Sequence, residues 1–261
     1  MGYEFKGSQR LGKKQLNNQG CLMVVVEYKN FTDIIVEFQD GYKGKAHTSY
    51  QCFKNGEVKN PYHPSVCGVG IIGNKYSVYV NNNITKEYEA WRGIIRRCFD
   101  EKTKEKQPTY KDVSCCDEWL LYENFYEWLH SQENFDKWLN GKRWAVDKDI
   151  LVKGNKCYSS KTCCLIPQDL NCLFTKRNNY RGSLPIGVYK SKNRFQAKCR
   201  NPITNDDVYL GSFETPEAAF YAYKYYKENL IKQIAEIEYK KGNITKQCYE
   251  TMLDYKVEIT D

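Results

Sequence analysis

Histidine is scarce in this chain. The three histidines are His47, His63 and His130, and none follows residue 130. His47 and His63 stand alone in loop-like sequence, and His130 has no evident catalytic companion nearby. None of them by itself predicts an active site, which argues against chemistry that depends on a histidine cluster.

Long apolar runs are also missing. No apolar run follows a basic start, and no segment approaches the ~20 apolar residues that a membrane-spanning helix needs. We therefore expect a cytosolic protein without a membrane partner.

Cysteine is abundant, but the 12 cysteines include no Cys-x-x-Cys pair. Vicinal cysteines such as Cys115-Cys116 are poor partners for ordinary disulfides, so we expect the thiols to act as small buried hydrophobes in a reducing compartment. Zinc is not expected, because the one set that could converge is irregularly spaced. That set is Cys157, Cys163, Cys164 and Cys172.

Acidic residues are absent between Asp169 and Asp206, although the whole chain has 32 of them against 40 basic residues. The basic residues in this window are Lys176, Arg177, Arg181, Lys190, Lys192, Arg194, Lys198 and Arg200. Such clustering is typical of proteins that bind a polyanion. The alternative is a solvated surface that happens to be basic.

Residues 1–82 are predicted to be β-rich. The apolar runs at 21–26 and 34–38 are typical of buried strands, and residues 75–80 form a third candidate. After Thr85 the period becomes helical. One predicted face carries Tyr88, Trp91, Ile94, Ile95 and Cys98, and a second helical region with an aromatic stripe starts at Asp117.

The C-terminal third has the clearest pattern. Apolar residues alternate with basic ones from Arg194 to Arg200, which predicts a strand with one buried and one basic face. A hairpin loop at 201–205 and a second strand at 208–211 follow. Thr215-Pro216-Glu217 predicts the start of a helix, because it combines a hydroxyl at the N-cap, proline at the first helical position and a carboxylate in the first turn.

This C-terminal unit resembles the AP2 DNA-binding domain over roughly 55 residues. The matching residues are Gly187-Val188-Tyr189, Phe195-Gln196-Ala197-Lys198, Tyr209-Leu210-Gly211-Ser212-Phe213 and Thr215 to Tyr223. The resemblance implies that the sheet contacts double-stranded DNA. Phe195 stands where the family usually has tryptophan. The DNA-binding residues so implied are Arg181, Lys190, Lys192, Arg194, Gln196, Lys198 and Arg200, with Gln196 as the base reader.

The preceding segment resembles the HNH endonucleases of phages and mobile elements, in which an AP2 domain often follows. The matching residues are Trp91, Arg97-Cys98, Tyr110, Cys116 to Trp119, Phe125, Trp128, Val146 to Asp149, Asn155, Tyr158-Ser159, Cys163 and Asn171. The resemblance implies a ββα finger that holds one divalent cation, with a histidine as general base.

In this chain Lys148 occupies the position of that histidine, after Asp147. A lysine flanked by Asp147 and Asp149 is held in its charged form and donates protons rather than accepting them. The implied catalytic set is therefore Asp147, Lys148, Asp149 and Asn171, in degenerate form. Asp147, Asp149 and Asn155 are candidate ligands for Mg²⁺ or Mn²⁺. The alternative is an ion-paired turn with Lys148 and Lys153.

Three functions stay open. The first is a bacteriophage-type DNA-binding protein with a degenerate nuclease site. The second is an active metal-dependent endonuclease of the homing type. The third is a phage protein that binds and inhibits a host antiviral defence protein, since tyrosine and arginine are also favoured at protein interfaces. Each would act in the cytoplasm of the bacterial host, and the oligomeric state stays open.

The predicted fold class is α+β. We expect a β-rich module at 1–82, an HNH-like domain with a ββα element at 83–180, and an AP2-like domain at 181–242. In the last, a three-stranded antiparallel sheet packs on one helix. Residues 243–261 are a tail or a helix.

Overall fold

The computed structural model describes residues 9–41, 44–174 and 183–261. Helices and strands are mixed along the chain, so the predicted α+β class is confirmed. The chain divides into two compact units, Met1–Trp128 and Leu129–Asp261. This boundary lies inside the segment 83–180, for which the sequence predicts a single domain.

The first unit begins with an antiparallel sheet of four strands in the order β1-β2-β3-β4. The strands are β1 (Lys14–Leu16), β2 (Leu22–Asn30), β3 (Asp33–Phe38) and β4 (Lys45–Thr48), and helix α1 (Tyr50–Lys54) follows. Alternate residues of β2 and β3, such as Met23 and Val36, are buried against Tyr50 and Phe53. The β-rich N-terminal module is thus confirmed.

The third strand predicted at 75–80 is much shorter in the structure. Only Tyr79–Val80 (β5) is a strand, and it pairs with Asn83–Ile84 (β6). Asn81 and Asn82 between them have φ of 50° and 62°. Asparagine tolerates this left-handed backbone, which closes a tight local hairpin and keeps the segment out of the larger sheet.

Helix α2 (Lys86–Phe99) begins at Thr85, whose hydroxyl accepts a hydrogen bond from the backbone N–H of Tyr88. All five residues of its predicted apolar face are buried, so that prediction is confirmed. The remaining elements up to residue 140 are α3 (Glu101–Lys106), a 3₁₀ turn (Pro108–Tyr110), β7 (Ser114–Cys115), a 3₁₀ turn (Asp117–Leu120), α4 (Tyr122–His130) and α5 (Phe135–Asn140).

The second helical region is therefore broken into short pieces. Leu121 has extended backbone (φ −94°, ψ 119°), which separates the 3₁₀ turn at Asp117–Leu120 from α4. Trp119, Phe125 and Trp138 are nonetheless almost fully buried. The aromatic stripe serves core packing in separate short elements.

In the second unit, β8 (Trp144–Asp147) and β10 (Cys164–Pro167) form an antiparallel pair with Asp147 opposite Cys164. The short strand β9 (Cys157–Tyr158) lies in the connection, and helix α6 (Gln168–Leu173) follows β10 directly. The order strand, loop, strand, helix is that of a ββα element.

The C-terminal part is a three-stranded antiparallel sheet followed by two helices, as predicted for the sheet and the first helix. Its strands are β11 (Val188–Ser191), β12 (Arg194–Asn201) and β13 (Asp206–Phe213), and its helices are α7 (Pro216–Lys240) and α8 (Lys246–Leu253). The inner side of the sheet carries Val188, Ala197 and Cys199. These pack in one core with Phe220 and Tyr223 of α7.

Helix α8 closes this core instead of reaching outward. Cys248 and Met252 are buried, and they belong to the same apolar cluster as Ile166 and Leu170 of the ββα element. Residues of the ββα element, the sheet and both C-terminal helices therefore share one hydrophobic core within the second unit.

Candidate functional site

The outer side of the C-terminal sheet is left uncovered by α7. Strand register puts Gln196 opposite Tyr189 and Ser212, and Lys198 opposite Tyr209. Because neighbouring side chains of a strand alternate between faces, these residues lie opposite the buried Ala197 and Cys199. We call this surface the open face. Its residues are Tyr189, Ser191, Arg194, Gln196, Lys198, Arg200, Asp207, Tyr209 and Ser212.

The predicted basic row of β12 lies on the open face. Arg194, Lys198 and Arg200 are exposed, and Gln196 is half-buried between them. Arg194 is oriented by its neighbour strand, since its guanidinium donates to the hydroxyl of Ser212 at 3.2 Å and to the carbonyl of Ser212 at 3.0 Å. A cation held in one orientation loses less entropy when it contacts a phosphate.

Carboxylates from β13 and its end reduce the charge of this surface. Asp207 lies 3.8 Å from Arg200, and Glu214 lies 3.8 Å from Arg194. Residues 188–214 contain five basic and three acidic residues, which leaves two positive charges. The net positive charge is therefore smaller than the acid-free window of the sequence suggests, because the β12–β13 hairpin brings acidic residues next to the basic strand.

The other predicted DNA-binding residues lie around the open face. Lys190 is opposite Phe195 at the outer edge of β11 and is exposed. Lys192 is in the β11–β12 turn with φ of 52°. Arg181, together with Lys176 and Arg177, lies outside the described residues. The structure thus gathers five of the predicted cations on or beside one sheet.

Two exposed tyrosines on the open face were not singled out as site residues from the sequence. Tyr189 is 53% exposed and Tyr209 is 55% exposed, on the strands that flank β12. The ammonium group of Lys198 lies 5.9 Å from the centroid of the Tyr189 ring. The sequence could have indicated both tyrosines, because the two-residue alternation that places Gln196 on this face also applies to the neighbouring strands.

An open depression of about 680 Å³ lies beside Tyr189. Its lining residues are Tyr189, Lys190, Ser191, Gln196, Lys198, Arg200 and Asp207. The volume is in the range that proteins use for small ligands and cofactors. The lining combines an aromatic ring, an amide, a carboxylate and cations, which suits a flat polar group attached to a negative charge.

Asp147, the first residue of the HNH-like set, has a structural task in this fold. It is 4% exposed, and its Oδ2 accepts hydrogen bonds from the backbone N–H groups of Asp149 at 2.9 Å and Ile150 at 2.7 Å. Burial, followed by the charge of Asp149, raises the pKa of Asp147 to about 6, although the two N–H bonds oppose the rise. This carboxylate closes the loop that follows β8.

Lys148 and Asp149 pair with each other. The ammonium group of Lys148 lies 3.1 Å from Oδ2 of Asp149 and 5.8 Å from the centroid of the Tyr158 ring. Lys153 instead reaches Asp261 at 2.8 Å. The ion-paired turn foreseen as the alternative is thus present for Lys148 with Asp149, while Asp147 is held by backbone groups.

The amide of Asn155 is also committed to the loop. Its Nδ2 donates to the carbonyls of Lys148 at 2.6 Å and Cys157 at 2.7 Å, and its Oδ1 accepts from the N–H of Cys157 at 3.2 Å. Asn171 lies on α6 and is half-buried. Oδ2 of Asp147 and Oδ1 of Asn155 accept backbone N–H bonds, and the ammonium group of Lys148 lies 3.1 Å from Asp149, so each of the three predicted ligands already has a partner within the protein.

The remaining candidates are spread out. Cys163 and Cys164 are buried, whereas Cys172 is exposed on α6. His130 packs its ring 3.9 Å, centroid to centroid, from that of Phe135. Among the residues that the structure describes, no group of three or more histidine, cysteine or acidic side chains is arranged to hold a metal ion.

Within the described parts of the chain, every helix is too short or too polar to cross a lipid bilayer. Comparison with known protein families, curated proteins and solved structures gives no match to this chain. Its function is therefore inferred from the geometry of the open face and of the ββα element.

Proposed function

We propose that this chain is a DNA-binding protein, of the bacteriophage type that its motifs resemble, which holds double-stranded DNA against the open face of its C-terminal sheet. The observation that carries the proposal is the row of Arg194, Gln196, Lys198 and Arg200 on the uncovered side of β12. An antiparallel sheet with a covered inner side and a cationic outer side is a suitable platform for a polyanion.

Phosphate contacts supply most of the affinity in this proposal. Arg194, Lys198 and Arg200 are the proposed phosphate contacts, and each of the two arginines also lies 3.8 Å from a carboxylate, that of Glu214 for Arg194 and that of Asp207 for Arg200. Each phosphate that is neutralised releases counterions, so binding weakens steeply as salt concentration rises. Gln196, at the centre of the row, is placed to contact a base edge.

The ββα element is proposed to support this sheet without cutting DNA. Its candidate carboxylate, Asp147, accepts two backbone N–H bonds and is buried, and Lys148 replaces the general base of the HNH pattern. Without a positioned base, hydrolysis loses a factor of roughly 10²–10⁴ in rate. We therefore expect binding without cleavage.

The test is a titration of labelled duplex DNA at several salt concentrations, with Arg194→Ala plus Lys198→Ala beside the wild type. We expect weaker binding and a salt slope that falls by about one for each phosphate that the variant no longer neutralises. The matched control is Lys232→Ala plus Lys246→Ala, which removes the same charge from exposed positions on α7 and α8. Equal losses of affinity in both double variants would reduce the proposal to general charge attraction.

Cleavage is tested separately, with plasmid DNA plus Mg²⁺ or Mn²⁺. An intact plasmid is expected. Nicking by the wild type that Asp147→Asn abolishes would overturn the non-cutting part and favour the homing-type nuclease. Complete absence of DNA binding would overturn the proposal itself and direct the search to a protein partner, such as a component of host defence.

A further inference from the structure

We infer that the depression on the open face is a binding site for an unpaired DNA base, which stacks on Tyr189. The inference rests on the proposed DNA binding and specifies the form of DNA that this face prefers. It is carried by the exposed Tyr189 ring beside a depression that cations surround.

The aromatic rings point to bases rather than to phosphates. The Tyr189 ring is 53% exposed, and the Lys198 ammonium group lies over it at 5.9 Å from the centroid, so much of its apolar surface is in water. A base in a duplex has both its faces covered by its neighbours, so only an unpaired base can stack on such a ring. Every base has a flat π-face, and the site therefore tolerates different sequences.

The polar lining of the depression supports the same occupant. Asp207 would repel a phosphate placed beside it, but its carboxylate can accept hydrogen bonds from the amino groups of cytosine, adenine or guanine. The amide of Gln196 can both donate to and accept from a base edge. The base is thus expected in the depression, with its phosphate outside it.

Cations are placed where that phosphate would lie. Lys198 has its ammonium group 5.9 Å from the centroid of the Tyr189 ring, and Lys190 lines the same depression from the sheet edge. A nucleotide stacked on Tyr189 would therefore place its phosphate near the ammonium group of Lys198. The site combines the stacking surface and the cationic rim that single-strand binding requires.

Tyr209 offers a second stacking surface. It lies on β13, whereas Tyr189 lies on β11, so β12 separates the two rings and their backbones are roughly 10 Å apart. Lys198, opposite Tyr209 in the register, stands between them. Two bases of one DNA strand can then stack on the two tyrosine rings, with the phosphate between them near Lys198.

The experiment compares three labelled DNA probes of equal length: a blunt duplex, the same duplex with a short single-stranded gap, and the single strand. Fluorescence anisotropy gives each affinity for the full chain. We expect the gapped duplex to bind more tightly than the blunt duplex by roughly 5- to 150-fold, the range of one stacked base.

Tyr189→Leu should lower the ratio of the affinity for the gapped duplex to that for the blunt duplex to about one, whereas Tyr189→Phe, which keeps the ring, should retain the ratio of the wild type. Tyr225→Leu is the matched control, since Tyr225 is 75% exposed on α7, which covers the opposite side of the sheet. Circular dichroism of each variant establishes that the fold is intact. Photocrosslinking of a halogenated uracil in the gap to a peptide containing Tyr189 gives a second readout that needs no substitution.

The outcomes separate this inference from the proposed function. If the blunt and gapped duplexes bind equally and Tyr189→Leu changes neither affinity, base stacking is refuted while DNA binding stands. If no probe binds, the proposed function and this inference fail together. Crosslinks that map to other elements would also overturn the assignment to Tyr189.

Discussion

Replacing Asp147 by asparagine should make the stability of the second unit less dependent on pH. The free carboxyl of aspartate has an ordinary pKa of 3.8, and burial, reinforced by Asp149, raises the pKa of Asp147 to about 6. The folded state therefore binds this proton more tightly than the unfolded state does. The free energy of unfolding must fall as the pH rises through the window between these two values.

The size of the effect follows from the width of that window. A separation of about two pKa units corresponds to about 3 kcal/mol in total, most of which disappears between pH 4 and pH 7. Asparagine has an oxygen that can still accept the N–H groups of Asp149 and Ile150, but it carries no charge. The free energy of unfolding of Asp147→Asn, compared with that of the wild type at the same pH, should therefore rise by about 2 kcal/mol between pH 4 and pH 7.

Urea denaturation at pH 4, 5.5 and 7, followed by tryptophan fluorescence, measures this difference directly. The control is Asp136→Asn, an exposed position on α5 in the same unit. The reasoning is refuted if Asp147→Asn instead loses stability relative to the wild type as the pH rises. That sign would mean that the folded protein stabilises the charged carboxylate, as a bound cation would.

Two further substitutions test the packing of the C-terminal sheet. Gly187 has φ of 75°, and a Cβ atom there would collide with the ring of Tyr223, so Gly187→Ala should cost about 2–5 kcal/mol in thermal or urea unfolding. Gly154→Ala is the control, because Gly154 has a similar backbone angle (φ of 80°) but open space around its Cα, so it measures backbone strain without a steric clash. A loss of stability as large as that at Gly187 would contradict the packing argument. Thr215→Ala should cost about 1 kcal/mol by removing the cap on the N–H of Ala218, and Thr215→Ser should restore it; equal stabilities of the two variants would argue against the cap.

Local patterns predicted the C-terminal elements well because each is determined by neighbours in sequence. The alternation from Arg194 to Arg200 correctly identified the covered and uncovered sides of β12, and Thr215-Pro216 correctly placed the start of α7. Capping and two-residue periodicity depend on a few adjacent residues. Such features are readable from one sequence.

Contacts between strands could not be predicted in the same way. The position of Asp207 beside Arg200, and of Tyr209 opposite Lys198, depends on the register of β13 and on an irregularity between Ala197 and Lys198. A shift by one residue would exchange the two faces of the strand. The composition of the open face therefore became clear only from the pairing itself.

The bonding partners of Asp147 could not be predicted from the motif. The order of residue types resembles a metal site, yet the carboxylate turns toward two backbone N–H groups of the loop that follows it. Buried N–H groups must find acceptors, and an aspartate two residues earlier is a common acceptor. The motif indicates which residue types are present, but it does not show which groups the carboxylate of Asp147 contacts.

The core shared by the ββα element and the C-terminal sheet limits how this protein can be recombined. Ile166 and Leu170 pack in the same cluster as Phe220, Ile231 and Met252. A chimaera joined between residues 174 and 183 would bring together two halves of a core that had never been fitted to each other. Transfer of the sheet alone into another protein should therefore cost stability, and a stable chimaera has to contain residues 144–257 together.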